Sequence, residues 1–75
     1  MSFELKPTNE LVQIAVAGGG FRLDAGLRST PELVQIAVAA KSSGARITFA
    51  GLSLRPTHEL VQIAVAGKGV VVLEG

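Results

Sequence analysis

Cysteine is absent from the chain, which excludes disulfides and thiolate metal sites and leaves the redox compartment unread. Tryptophan and tyrosine are absent as well, and the aromatic residues amount to Phe3, Phe21 and Phe49. A core must therefore be built from Val, Leu, Ile and Ala. Charge of one sign is also missing: seven basic side chains meet six acidic ones, for a net charge near +1. That balance gives no general attraction to DNA or to an anionic membrane. No apolar run approaches the roughly 20 residues of a membrane span. The opening MSFELKPTNE carries charges and a proline where a signal peptide needs an apolar stretch. These absences make a cytoplasmic protein the expectation.

What is present is strongly apolar. Hydrophobic residues make up 48% of the chain, too many for a disordered polypeptide. Its 75 residues suffice for one small domain. A domain of this size buries only about 60–65% of the surface its unfolded chain exposes, so its stability is marginal.

The octet ELVQIAVA occurs three times without a substitution, starting at Glu10, Glu32 and Glu59, so its copies lie 22 and 27 residues apart. The flanks repeat more loosely. LKPTN, LRSTP and LRPTH precede the octets, and AGGGFRL, AAKSSGARI and AGKGVVV follow. A period in the twenties fits one strand and one helix per unit. The helix-containing repeats fall near residues 5–26, 27–53 and 54–75 of a single domain.

Each octet reads as a helix. Thr8, Thr30 and Thr57 stand where an N-cap belongs, and Pro31 suits a first helical position. Glu10, Glu32 and Glu59 place negative charge in the first turn, where it suits the helix dipole. Gly18–Gly20, Gly44, Gly67 and Gly69 supply the stops. Between the helices, FELK, FRLDAGL, ARITFAGLSL and VVVLE read as strands by alternation or β-branched content. Phe21, Leu23 and Ala25 oppose Arg22 and Asp24, and Ala45, Ile47 and Phe49 oppose Arg46 and Thr48. Repeat alignment turns Val70 and Val72 inward in the last strand, leaving Val71 and Leu73 on the outer face. In-register strands would set Glu4 opposite Arg22 and Asp24 opposite Arg46.

The expected order is β-α-β-α-β-α-β. Right-handed crossovers stepping one way predict a four-stranded parallel sheet in order 1-2-3-4, an α/β fold with all helices on one face, solenoid-like. On a helical wheel, Leu11 and Ala15 centre the apolar arc. Ile14 lies on one flank, and Val12 and Val16 lie on the other. An arc that wide suits a helix gripped by the sheet and by a neighbour on each side. Leu, Ile and Val exchanges in a core usually cost under about 1.5 kcal/mol, so packing alone does not require literal identity. Identical octets within varied flanks are the pattern of a recent duplication or of a sequence made symmetric.

The terminal helices are as apolar as the middle one, so a flank of each lacks a partner within the chain. Self-association as a homodimer is the expected consequence. Its candidate residues are Val12, Val16 and Ile63 on the helix flanks, with Val71 and Leu73 on the sheet.

Catalytic machinery is not evident. His58 is the single histidine and has no cysteine or second histidine with which to share a metal. Ser42 and Ser43, read as loop residues, have no base within sequence reach. The glycine clusters follow helices and precede strands, whereas a phosphate-cradling loop follows a strand and opens a helix. No catalytic residue, metal, cofactor or small-molecule substrate is expected. Lys6, Arg28 and Arg55 share one repeat position, two residues before each Thr, at the carboxyl end of a strand. Open α/β sheets place ligands on that edge, so these cations form the candidate anion site, with a nucleic acid or other polyanion as its ligand. The plainer role for each is pairing with a nearby glutamate.

Strand–helix units of this length resemble leucine-rich repeats in outline. After Leu5, Leu27 and Leu54 come a basic residue and a threonine, not the laddering asparagine of that family, so no binding residue carries over. The reading that follows is a structural or interaction module that associates with itself and is not an enzyme, with anion binding as the alternative.

Overall fold

The computed structural model describes residues 6–26 and 28–75. Helices and strands alternate: α1 (Thr8–Val16), β1 (Phe21–Asp24), α2 (Thr30–Ser43), β2 (Ile47–Ala50), α3 (Thr57–Ala66) and β3 (Val71–Leu73). The strands pair in parallel in the order β1-β2-β3. The fold is α/β, with three helices and a three-stranded sheet where four strands were expected. The strand expected at residues 3–6 falls almost wholly outside the described residues. The other three are shorter than their sequence patterns, although backbone bonds continue past the strand ends, the Ala25 N–H donating to Ala50 and the Leu52 N–H to Glu74.

Each octet forms a helix because its apolar residues recur on one side. Leu11, Ala15, Leu33, Ile36, Ala37 and Ile63 are fully buried, and every octet glutamine is exposed. α1 packs on α2 and α2 on α3, forming one helical layer. The layer covers one side of the sheet. In the paired rows, Phe21, Ile47 and Val71 lie side by side, as do Leu23, Phe49 and Leu73. Leu23, Ile47 and Phe49 are fully buried, and Phe21, Val71 and Leu73 pack against that core. The intervening row of Arg22, Thr48 and Val72 points the other way, with Arg22 and Val72 exposed.

That row corrects the expectation for the last strand. Val71 and Leu73 turn toward the core, and Val72, 50% exposed, turns outward. The reason is one residue of connection. Phe21 opens β1 four positions after Ala17, but its row partner Val71 lies five positions after Ala66, the equivalent alanine. A slip of one residue exchanges the two faces of a strand. The expected outer-face pairs change as well. Arg22 lies level with Thr48 and Asp24 with Ala50, while Arg46 precedes β2. Arg22 instead pairs with Glu74, and Glu4 lies outside the described residues.

The longer connection depends on Gly67. This residue is buried, and its carbonyl accepts from the N–H groups of Val70 and Val71 at 2.9 and 3.2 Å. A Cβ placed there would lie 2.5 Å from Val71 Cγ1 and 3.0 Å from Ala37 Cβ. Gly67→Ala should therefore cost about 1–3 kcal/mol, the usual range for overpacking. A denaturant midpoint unchanged by the substitution would contradict this close approach.

Helix starts differ from expectation by one residue. The N-caps are Pro7, Ser29 and Pro56, so Thr8, Thr30 and Thr57 are the first helical residues and Pro31 the second. Pro7 and Pro56 hold extended backbone, and their carbonyls accept the first helical N–H groups. At α2, the Glu32 carboxylate accepts from the Ser29 N–H at 3.2 Å. The threonine hydroxyls are thereby released for another purpose. α2 ends at Gly44, in the left-handed conformation at φ 82°. It includes Ser42 and Ser43, which were expected in a loop. Ser43 donates to the Ala15 carbonyl of α1 and accepts from the Ala45 N–H at 3.2 Å.

Candidate functional site

The repeated basic residues lie along one rim, at the N-terminal ends of the helices. Arg28 leaves the chain just after β1, and its guanidinium reaches back to the preceding repeat. It donates to Thr8 Oγ1 at 2.9 Å and to the Lys6 carbonyl at 2.5 Å. Arg55, just after β2, repeats the gesture one unit on. It donates to Thr30 Oγ1 at 2.9 Å, to the Ala25 carbonyl at 2.8 Å and to the Arg28 carbonyl. Each arginine thus spans the helix ends of two neighbouring repeats. A planar guanidinium suits this role because its donors form a rigid fork.

Glutamates complete the rung. Glu59 lies 3.5 Å from Arg55 and accepts from the Thr30 hydroxyl at 2.9 Å. Lys6 lies 3.7 Å from Glu10, at the same four-residue spacing. The two pairs differ in environment. The Arg55 side chain is 14% exposed and the Lys6 side chain 45%. Arg55 is consequently a part of the packing, with its Nε buried and unbonded. Lys6 stands half in solvent at the end of the row.

The three cations lie at the N-terminal ends of successive helices, but they do not present equal faces to a ligand. The terminal Nη1 and Nη2 groups of Arg28 and Arg55 donate to protein acceptors. Lys6 lines a shallow open groove along α1 with Asn9, Glu10, Gln13, Ile14 and Ala17. Sequence reasoning missed Thr8 and Thr30 as acceptors. The signal was present in the joint recurrence of a basic residue and a threonine two positions later, which was read as a cation beside a cap.

The self-association candidates are dispersed. Val12 is half-buried against the core beside α2. Val16 is 57% exposed, and its counterparts Val38 and Val65 are exposed as well, so this position faces solvent in every repeat. Ile63 is fully buried, and Val71 and Leu73 pack on the core. His58 is exposed in the first turn of α3. Among the described residues no group of His, Cys, Asp or Glu could hold a metal ion, and no helix is long and apolar enough to cross a membrane.

Compared with protein-family models, with curated proteins and with solved structures, the chain finds no match.

Proposed function

We propose that the chain is a solenoid-like interaction module that works by associating with copies of itself and carries no catalysis of its own. The observation that carries this reading is the uneven burial of identical residues. Ala15 and Ala37 are fully buried beneath the helix that follows them, yet their counterpart Ala64, with no helix after it, is exposed. Ile36 and Ile63 are fully buried against the helix before them, and Ile14, with none before it, is partly open. Among the described residues, the first and last helices therefore carry surfaces whose chemistry is that of the interior. Natural solenoids close such ends with polar capping units, and neither α1 nor α3 differs from α2 within the octet.

Sedimentation velocity over the micromolar range tests the reading. The weight-average mass should rise above the 7.7 kDa of one chain as concentration increases. A single 7.7 kDa species throughout would overturn it.

Anion binding by Lys6, Arg28 and Arg55 is the second reading, favoured by their alignment on the helix N-terminal rim. Because Arg28 and Arg55 also hold the helix ends, Lys6→Gln is the clean variant. Salt-sensitive binding of duplex DNA that weakens in Lys6→Gln would support it.

A further inference from the structure

The two helix interfaces within the chain are polar in direction. The side of each helix that meets the next one carries Thr8, Leu11, Val12 and Ala15 or their counterparts. The side that meets the previous one carries Glu10, Ile14 and Ala17 or theirs. Burial follows this assignment at every repeat. Ala39 and Ala66 are covered by a preceding helix, wholly or in part, whereas Ala17 is exposed. Leu11 and Leu33 are fully buried beneath a following helix, whereas Leu60 is only partly buried and Val61 is 53% exposed. The hydrogen bonds agree: Thr30 gives its proton forward to Glu59, and Arg28 and Arg55 reach backward.

We propose that a second copy of the chain continues this series head to tail, its α1 lying on α3 as α3 lies on α2. This rests on the self-association reading and specifies its geometry. Neither surface is covered by another helix among the described residues, and surfaces of the same two kinds meet twice inside the chain. The groove of Lys6, Glu10, Ile14 and Ala17 would cover Leu60, Val61 and Ala64. Thr57 Oγ1 and the Arg55 carbonyl repeat the acceptor set that Thr8 and Lys6 offer Arg28, and that Thr30 and Arg28 offer Arg55. No arginine follows Thr57 in the sequence to fill that set. The arriving Lys6, held against Glu10 as Arg55 is held against Glu59, supplies one donor to the Thr57 hydroxyl oxygen in place of the arginine fork. The Thr57 hydroxyl donates to the arriving Glu10. Such a contact joins two different surfaces, so it propagates into a ring or an open filament instead of stopping at a symmetric pair. β3 is paired on one side only among the described residues, which leaves its outer edge toward the incoming copy.

Two variants that block one surface each decide the matter. Ala17→Arg obstructs the leading face and puts a favourable charge at a helix C-terminus. Ala64→Arg obstructs the trailing face at an exposed position. Far-UV circular dichroism shows that both remain folded before association is measured. Alone, each should sediment as a 7.7 kDa monomer. Mixed in equal amounts they should form a dimer and nothing larger, since one chain keeps a good tail and the other a good head. If either variant alone still dimerises, or if the mixture stays monomeric while the unmodified chain associates, the head-to-tail geometry is wrong and self-association survives. If the unmodified chain is itself monomeric, both fall.

Discussion

Phe49→Ala should cause one of the largest losses of stability of any single truncation in this chain. Phe49 is the largest fully buried side chain and sits in the central strand, between Leu23 and Leu73 in the paired row. With no tryptophan or tyrosine in the chain, no other core residue matches its volume. Truncating a buried phenylalanine to alanine costs about 3–5 kcal/mol. A domain of 75 residues has a total stability of about 4–11 kcal/mol. The substitution therefore removes about a quarter of the stability at the least and all of it at the most. The measurement is urea unfolding followed by circular dichroism. A midpoint within experimental error of the original would mean that the sheet is not packed on this ring.

Arg55→Ala should be the most damaging change at any charged position. It strips donors from Thr30 Oγ1 and from the Ala25 and Arg28 carbonyls at once, in a site where the side chain is 14% exposed. Hydrogen bonds to a charged group contribute about 1.5–3 kcal/mol where they are made, and acceptors left without water cost a comparable amount. A loss of about 2–3 kcal/mol is expected after exposure of part of the site to solvent is allowed for. Arg55→Lys should recover little of it, since a single ammonium cannot span three acceptors spread from Ala25 to Thr30 along the β1–α2 connection. A double-mutant cycle with Thr30→Val separates this account from a loss of helix charge. Because Thr30 also bonds Glu59, the cycle is run in a Glu59→Gln background, where coupling between positions 30 and 55 should persist if their direct bond carries the effect and vanish if Arg55 acts only through Glu59.

These expectations differ in how far the sequence alone could have produced them. The helices were legible because three identical octets carry a helical apolar period, and a period survives any error in where the helix begins. The buried faces of β1 and β2 were legible for the same reason, since Phe21, Leu23, Ile47 and Phe49 alternate with polar residues. β3 was not legible. Val70, Val71, Val72 and Leu73 are all apolar, so the pattern holds no parity, and the alignment that supplied one ignored a single added residue in the turn. The helix starts failed by one position because a proline carbonyl and a threonine hydroxyl both suit a first turn. The choice between them is made by an arginine 20 residues away in one case and 25 in the other. The basic residues were placed on the correct rim, but their bonding required knowing which helix lies beside which.

The backward reach of the arginines also sets an order in time. A chain leaving the ribosome emerges N-terminus first, so each threonine and carbonyl acceptor set is in place before the side chain that latches it has been made. Every unit waits on its successor to be fastened, Thr8 on Arg28 and Thr30 on Arg55.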